Sequence, residues 1–133
     1  PGSLIQERDV KRSPERKERS EMATNEGRYT VDSIVEIARS GDVWVREFTV
    51  AQGEEVPWHR HTEVQDRCYG LEGLVRVESS GPGGKQELLL RPGQSCVLPA
   101  GTRHRLTCAE GRYAKYLLVQ VGRYDFVKEL PPA

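Results

Sequence analysis

Apolar and polar residues alternate in short runs over the central part of the chain, which predicts β-strands half buried in a sheet. The runs are rich in Val, Leu, Phe and Tyr, and they cover residues 43–50, 67–78, 85–91, 94–98, 103–109 and 112–121. Turns containing Gly and Pro separate them, at residues 80–84, 91–93 and 99–101. Short strands punctuated in this way predict an all-β sandwich or barrel.

The segment that precedes these strands is ambiguous. Residues 31–38 have the spacing of a short helix, but their β-branched residues favour a strand. A turn signal at residues 40–42, Ser-Gly-Asp, leads into the predicted strand 43–50. The pattern alone is consistent with either a helix or a β-hairpin.

Residues 1–30 form a polar leader that differs from the rest of the chain. Its first three residues, Pro-Gly-Ser, resemble a cloning scar, and Met22 is the only methionine and a candidate natural start. Residues 4–21 carry many charges of both signs, a composition that predicts disorder. The balanced charges also allow a short helix or packing on a neighbouring subunit.

Length, charge and cysteine content limit the class of protein. The 133 residues suffice for one domain, which we place at residues 31–121 with a surface tail over 122–133. The 20 basic and 20 acidic residues cancel, so nothing indicates a nucleic-acid or anionic membrane partner. No apolar run approaches the roughly 20 residues of a membrane span. The cysteines are odd in number, which favours a reducing, cytoplasmic setting.

The positions of the histidines carry the clearest chemical signal. The chain has three histidines, with His59 and His61 in one short segment and His104 in a second. Residues i and i+2 of a strand point to the same face, so His59 and His61 can reach one ion together. A carboxylate a few residues later and His104 from a distant strand would complete the shell. This donor set suits one divalent transition-metal ion: Fe, Mn, Ni, Cu or Zn.

Both segments resemble the sequence motifs of the cupin family. The first resembles Gly-x5-His-x-His-x(3 or 4)-Glu-x6-Gly, and the second resembles Gly-x5-Pro-x-Gly-x2-His-x3-Asn. The positions that fit are Gly53, His59, His61, Gly73, Gly93, Pro99, Gly101 and His104. With the surrounding strands, the two motifs cover roughly residues 31–121. The resemblance implies a jelly-roll β-barrel, in which residues 31–38 and 43–50 form a hairpin.

The chain departs from the first motif at its carboxylate position. Counting back from Gly73 gives Asp66, whereas counting three residues past His61 gives Gln65. We favour Asp66, because an anion offsets the charge of a metal ion. Glu63 is a third candidate by charge, but it fits neither motif spacing. The second motif ends at Cys108 in place of an asparagine that is not usually a ligand.

Strand alternation predicts which neighbours of the ligands face the barrel interior. Counting from Asp66 places Cys68 and Gly70 inside, and both are small, so we expect a roomy cavity near the metal. Counting from His104 places Leu106 and Cys108 inside. A buried cysteine is more often a small apolar group than a reactive thiol, and we expect this of Cys68 and Cys108.

The same alternation points Trp58 and Arg60 away from the interior, towards the outer face or a subunit interface. Arg46 and Lys115 lie on predicted strands, and we expect both at the surface. If either side chain faces inward, its buried charge needs an anionic partner, such as a substrate carboxylate.

The resemblance implies two classes of function. A metal at His59, His61, Asp66 and His104 with open coordination positions is typical of a dioxygenase, isomerase or lyase acting on a small polar organic acid or sugar. The alternative is a non-enzymatic module that holds a metal and a small ligand. An enzyme needs exchangeable waters on the metal, whereas protein ligands close a structural site. The resemblance also implies a homodimer, which would cover exposed strand edges.

Overall fold

The computed structural model describes residues 23–24, by their backbone, and residues 28–133. Within these ranges the chain forms ten β-strands and no helix. The strands are β1 (Ala23–Thr24), β2 (Thr30–Val31), β3 (Ser33–Ser40), β4 (Val43–Ala51), β5 (Glu55–Arg60), β6 (Gln65–Gly81), β7 (Gly84–Leu90), β8 (Ser95–Leu98), β9 (Arg103–Val121) and β10 (Val127–Lys128). The all-β prediction is confirmed, and none of the described residues belongs to a helix that could cross a membrane.

The long strand β9 organises the sheet. It pairs with β4, β5 and β6, and every strand pair of the sheet is antiparallel. The order of the main path is β10-β5-β9-β4-β3, and β6 additionally pairs with β7 and β8. β9 pairs with β5 near its start, with β4 over its second half and with β6 along both parts, and the sheet encloses one buried core, as in a jelly roll.

The core consists of inward residues at every second position of the strands. Phe48 on β4 and Tyr116 on β9 are 0% and 1% exposed, and their rings stack with centroids 5.2 Å apart. Residues Val50, Val75, Val77, Leu90 and Leu106 belong to the same buried cluster. Burying one such side chain stabilises the fold by about 1.5–3 kcal/mol, so this alternating row holds the strands in register.

The structure resolves the ambiguous segment 31–38 and joins two of the predicted strands. Residues 33–40 form a strand, and β3 and β4 form the hairpin that the resemblance implies. The predicted strands 103–109 and 112–121 are joined in one strand, β9, with Gly111 between them at a φ of 80°. Glycine tolerates this positive φ, so the chain bends without ending the strand.

The ends of the chain are described in part. Residues 1–22 and 25–27 of the predicted leader lie outside the described residues, and the short strand β2 within it pairs with β1. The other end does more than form a surface tail. Residues 122–130, which we call the strap, return across the barrel, where β10 pairs with β5.

The strap begins at a glycine that no other residue can replace without displacing backbone. Gly122 has a φ of 129°, and a Cβ there would collide with the backbone carbonyl of Glu63. Further along, the amide of Glu129 donates to the carbonyl of Trp58 at 3.0 Å. The strap is therefore fixed at its start and near its end, and the residues between lie over the histidine segment.

Candidate metal centre

The fold brings the predicted ligands together from three strands. His59 lies on β5, Asp66 on β6 and His104 on β9, and His61 follows directly after β5. His59 is the direct cross-strand partner of His104, next to a register shift between Val56 and His59. The two cupin-like segments, distant in sequence, are thus adjacent in the sheet.

The four side chains form a compact, buried cluster. Each offers one ligand atom, and these atoms all lie within 4.8 Å of one another. The residues are 2–4% exposed. Oδ2 of Asp66 is 3.4 Å from Nε2 of His61 and 3.2 Å from Nε2 of His104. Three nitrogens and one oxygen that converge in this way can hold a metal ion.

Backbone carbonyls fix which nitrogen of each imidazole faces the cluster. Nδ1 of each of the three histidines lies within hydrogen-bonding distance of a carbonyl oxygen. The carbonyls for His59, His61 and His104 belong to Pro57, Asp125 and Thr102, at 2.6, 2.5 and 2.8 Å. When Nδ1–H donates to the carbonyl, Nε2 keeps its lone pair. Nε2 of His104 is buried and faces Oδ2 of Asp66; in this tautomer it has no proton to donate to that oxygen, which fits two donor atoms directed at a cation.

The electrostatics of the cluster agree with this donor set. Burial, with the nearby His104, lowers the pKa of His59 to about 3, so its imidazole is neutral. Burial would raise the pKa of Asp66, but contacts with His104 and His61 outweigh it and hold the pKa below its usual value. Burial likewise opposes protonation of His61, yet Asp66 raises its pKa overall. Asp66 is thus anionic and is stabilised by the neighbouring His61 and His104. A bound cation would stabilise the same negative charge.

The structure distinguishes the three candidates for the carboxylate ligand: Asp66, Gln65 and Glu63. Asp66 is 2% exposed and belongs to the cluster. Gln65 is half-buried, and its Oε1 accepts a hydrogen bond from Nε of Arg67 at 3.3 Å. Glu63 is exposed. Of the three, Asp66 alone offers a ligand atom to the cluster.

Behind Asp66 lies a polar pair, Gln120 and Arg46, of which the sequence analysis did not name Gln120. Nε2 of Gln120 donates to Oδ1 of Asp66 at 3.0 Å, and Oε1 of Gln120 accepts from Nη2 of Arg46 at 2.7 Å. The surface position expected for Arg46 is wrong, because its residue is 3% exposed and its guanidinium lies 3.5 Å from the ring centre of Trp44. Arg46 shares the parity of Phe48, which is the signal that would have placed it inside.

The surface position expected for Lys115 is also wrong, for a different reason. Lys115 is 7% exposed, and its neighbour Tyr116 faces the core, so Lys115 is buried on the opposite face of the sheet. Its Nζ lies 3.5 Å from a carboxylate oxygen of Glu72 and 3.9 Å from one of Glu47. The anionic partners it needs come from the protein.

Alternation correctly predicts which neighbours of the ligands are buried. Cys68, Leu106 and Cys108 are at most 5% exposed and belong to the core. Gly70 is also buried, yet a Cβ there would lie 2.5 Å from the carbonyl oxygen of Arg91. Gly70 therefore leaves no free space on this side, because its lack of a side chain admits the turn that contains Arg91. Trp58 is buried at 6% exposure, outside the core cluster.

The strap covers the cluster. The ring of Phe126 stacks on the imidazole of His59, with centroids 4.5 Å apart and 11° between the planes. Asp125 contributes its carbonyl to His61, while its carboxylate accepts from the amide and hydroxyl of Thr62 at 2.9 and 2.7 Å. Arg28 lies 5.1 Å from the ring centre of Phe126. The strap supplies both an outer wall and one orienting group.

An open groove of about 650 Å³ lies apart from the cluster. Its lining includes two ion pairs, Arg76 with Glu87 at 2.6 Å and Arg105 with Glu55 at 2.7 Å. These charges largely satisfy one another. The groove therefore offers no donor set comparable with that of the buried cluster.

Comparisons with known proteins support the same fold. A family model described as "Cupin domain" matches residues 46–120, whereas no curated protein matches the sequence. TT1209 of Thermus thermophilus matches at 24% identity and a TM-score of 0.63, over 81% of this chain and 97% of that one. KdgF of Halomonas sp. matches at 22% identity and a TM-score of 0.60, over 69% of this chain and 79% of that one. An oxalate oxidase with bound glycolate matches at 18% identity and a TM-score of 0.64, over 72% of this chain and 54% of that one. The chain spans about half the length of the oxalate oxidases it matches.

Proposed function

Because this chain belongs to the cupin family, we propose that it binds one divalent transition-metal ion through His59, His61, Asp66 and His104 and acts as a metal-dependent enzyme on a small polar organic acid or sugar. The observation that carries the metal site is the orientation of the imidazoles. All three have Nδ1 on a backbone carbonyl, which leaves each Nε2 for the ion.

The residues present determine the chemistry that such an ion would supply. Three neutral imidazoles and one carboxylate reduce the charge of a divalent ion by one, so the bound ion remains a Lewis acid for a carbonyl or enediolate oxygen. Iron or manganese would add oxygen chemistry. Gln120 holds Oδ1 of Asp66, so Oδ2 is the oxygen left for the ion. The protein's part is to orient the ligands and to exclude water from them.

The size and polarity of the surroundings support the proposed substrate class. The cluster is buried beneath the strap, so only a small molecule could reach it after a local movement. The buried Arg46 and Gln120 add polar groups beside Asp66. An oxalate oxidase shares the fold, which makes small carboxylic acids the first class to screen.

A non-enzymatic metal-binding module is the second candidate, and the closed site favours it. The ligand residues are 2–4% exposed, and Phe126 stacks directly on His59. Structural metal sites are closed by protein groups, whereas catalytic sites keep a position for water or substrate. In this case the metal would stabilise the fold and leave no position for a reaction.

The metal site is tested by metal content. We expect about one equivalent of a transition metal, by mass spectrometry of protein made without a histidine tag, and little in the His59→Ala/His61→Ala double variant. Glu63→Ala is the matched control, because Glu63 is exposed beside the same segment and should retain the metal. A parent that stays metal-free after incubation with Fe, Mn, Ni and Zn salts would refute the site.

The two candidate functions are separated by water exchange on the metal. Protein loaded with Mn(II) should strongly enhance the relaxation of solvent water if the ion keeps an exchangeable water, and oxygen-uptake and isomerase screens would follow. A relaxation close to that of the metal-free protein would indicate a closed site and favour the non-enzymatic module.

A further inference from the structure

Two of the three cysteines face each other across a strand pair outside the metal ligands. Cys68 on β6 and Cys96 on β8 are direct partners in the antiparallel register, and both are free thiols. Directly opposed residues on adjacent strands project to the same face of a sheet. Both therefore point inward, where Cys68 is part of the core and Cys96 packs against it.

The backbone spacing at this position matches that of a disulfide. Opposed residues of an antiparallel pair have Cα atoms about 4.5 or 5.5 Å apart, depending on the hydrogen-bonding pattern. Disulfides span Cα separations of about 4.4–6.8 Å. Either pattern falls within that range, so a bond between the two sulfurs requires side-chain rotation and no change of register.

The two thiols differ in access, which assigns their order of reaction. Cys96 is half-buried, whereas Cys68 is 0% exposed. A hydrogen bond from Cys68 lowers the pKa of Cys96 and favours its thiolate, the nucleophilic form. An external reagent can thus reach Cys96 first, with Cys68 behind it as the resolving thiol.

We propose that Cys68 and Cys96 are a disulfide-forming pair, oxidised by a small-molecule disulfide such as oxidised glutathione. The Cys96 thiolate attacks one sulfur of the reagent, the reagent's S–S bond breaks, and one thiolate leaves. The Cys68 thiol then attacks the Cys96 sulfur of the mixed disulfide, and the second thiolate of the reagent leaves and takes up the Cys68 proton. The protein loses two electrons and two protons, and the reagent is reduced to two thiols.

The third cysteine is an internal control. Cys108 lies on β9, and its thiol is within hydrogen-bonding distance of the carbonyl of Glu110 at 3.2 Å. Burial raises the pKa of Cys108, which disfavours its thiolate. Its cross-strand partner on β6 is Val75, so this thiol has no cysteine opposite it.

Peptide mapping of the full-length protein tests the pair. The protein is incubated with oxidised glutathione, blocked with iodoacetamide under denaturing conditions and digested with trypsin. The cysteines fall on separate tryptic peptides, 68–76, 86–103 and 106–112. We expect the first two as one linked peptide with a mass 2 Da below their sum, and the third alkylated.

Matched variants decide between this pair and other products. Cys108→Ala should still give the linked peptide, whereas Cys96→Ser and Cys68→Ala should each abolish it, with Cys96 retaining glutathione in the latter. Thermal melting of reduced and oxidised parent provides a second readout, and we expect the crosslink to raise the Tm by several degrees. Full alkylation of Cys68 and Cys96 after oxidation, or linkage through Cys108, would overturn the proposal.

Discussion

Each ligand of the candidate metal centre is held by a second group, and the type of group differs. Backbone carbonyls hold Nδ1 of His59, His61 and His104, so these three contacts are kept whichever side chains stand at the carbonyl positions. Asp66 is different, because the amide of Gln120 holds its Oδ1. Gln120 is therefore the position where a substitution can disturb the site without removing a ligand.

We expect Gln120→Leu to weaken metal binding by about 10–100-fold, since Asp66 would lose the donor that fixes its orientation. A chelator-competition titration with Zn²⁺ measures the change. Gln65→Leu is the matched control, because Gln65 is next to Asp66 in sequence but is hydrogen-bonded to Arg67. The metal affinity of this variant should equal that of the parent. Equal affinities for both variants would show that Gln120 does not position Asp66.

His59 should make the metal-free protein sensitive to acid. Its pKa is lowered from 6.5 to about 3 in the folded state, so its contribution to stability is complete above pH 6.5 and is lost as the pH falls towards 3. Between pH 7 and pH 4 this loss amounts to about 2–3 kcal/mol. Urea unfolding of chelator-treated protein across this range should show a shallower pH dependence in His59→Gln.

His61 supplies a control of opposite sign. Its folded pKa is raised, so its contribution is present below the unfolded pKa and is lost as the pH rises through the folded value. His61→Gln should therefore make the loss of stability on acidification steeper. Identical pH profiles for the parent and both variants would contradict the protonation states assigned to the cluster.

Motif spacing predicted the clustered residues well because it encodes strand geometry. The i, i+2 spacing of His59 and His61 and the glycine-framed position of His104 placed these three, and the charge of Asp66 selected it over Gln65. Gln120 was not predicted and Arg46 was assigned to the surface, because neither residue belongs to a motif. Their signal was a polar residue in an inward row, Gln120 in line with Tyr116 and Arg46 in line with Phe48.

Among the elements, the strap has the largest effect on the site and was the least predictable. Its residues have no strand pattern or motif, and their partners lie about 60 residues away, as in the contacts of Asp125 with Thr62 and of Glu129 with Arg60. A segment of this kind is positioned by tertiary contacts alone. The strands of the barrel, by contrast, carry their own alternation, so their positions were predictable within a few residues.

We expect Phe126→Ala to open the site, since its ring covers His59. The variant should release metal faster than the parent in excess chelator. Because Phe126 is half-buried, the free energy of unfolding should fall by only about 1–2 kcal/mol, less than for a fully buried Phe. Leu130→Ala, at a residue that is 82% exposed, should change neither value. Equal release rates would show that the ring does not limit access.

At the scale of the whole molecule, the sheet has open edges in the described part of the chain. There β3 pairs with β4 and β7 pairs with β6, so each has one strand neighbour. Leu88 and Leu89 on β7 are more than 40% exposed, as is Ile37 on β3. Open edges with apolar side chains associate readily unless they are covered.

A homodimer therefore stays our expectation for the protein in solution. Size-exclusion chromatography with light scattering should give twice the mass of the chain, and Leu88→Lys/Leu89→Lys should shift the mass towards one chain if β7 is the covered edge. Ile37→Lys tests the β3 edge in the same way. A monomeric mass for the parent would show that the edges are tolerated in isolation.

The bond between His61 and the carbonyl of Asp125 depends on the backbone of the strap and not on a side chain. A main-chain oxygen is present whichever residue occupies position 125, so what His61 requires of this segment is its path and not its sequence. The bond to His61 thus restricts the backbone of the strap, as the close approach of Gly122 to Glu63 does at its start. Conversely, a fusion partner attached just after the strap could alter metal content through tension on a segment that contains no ligand.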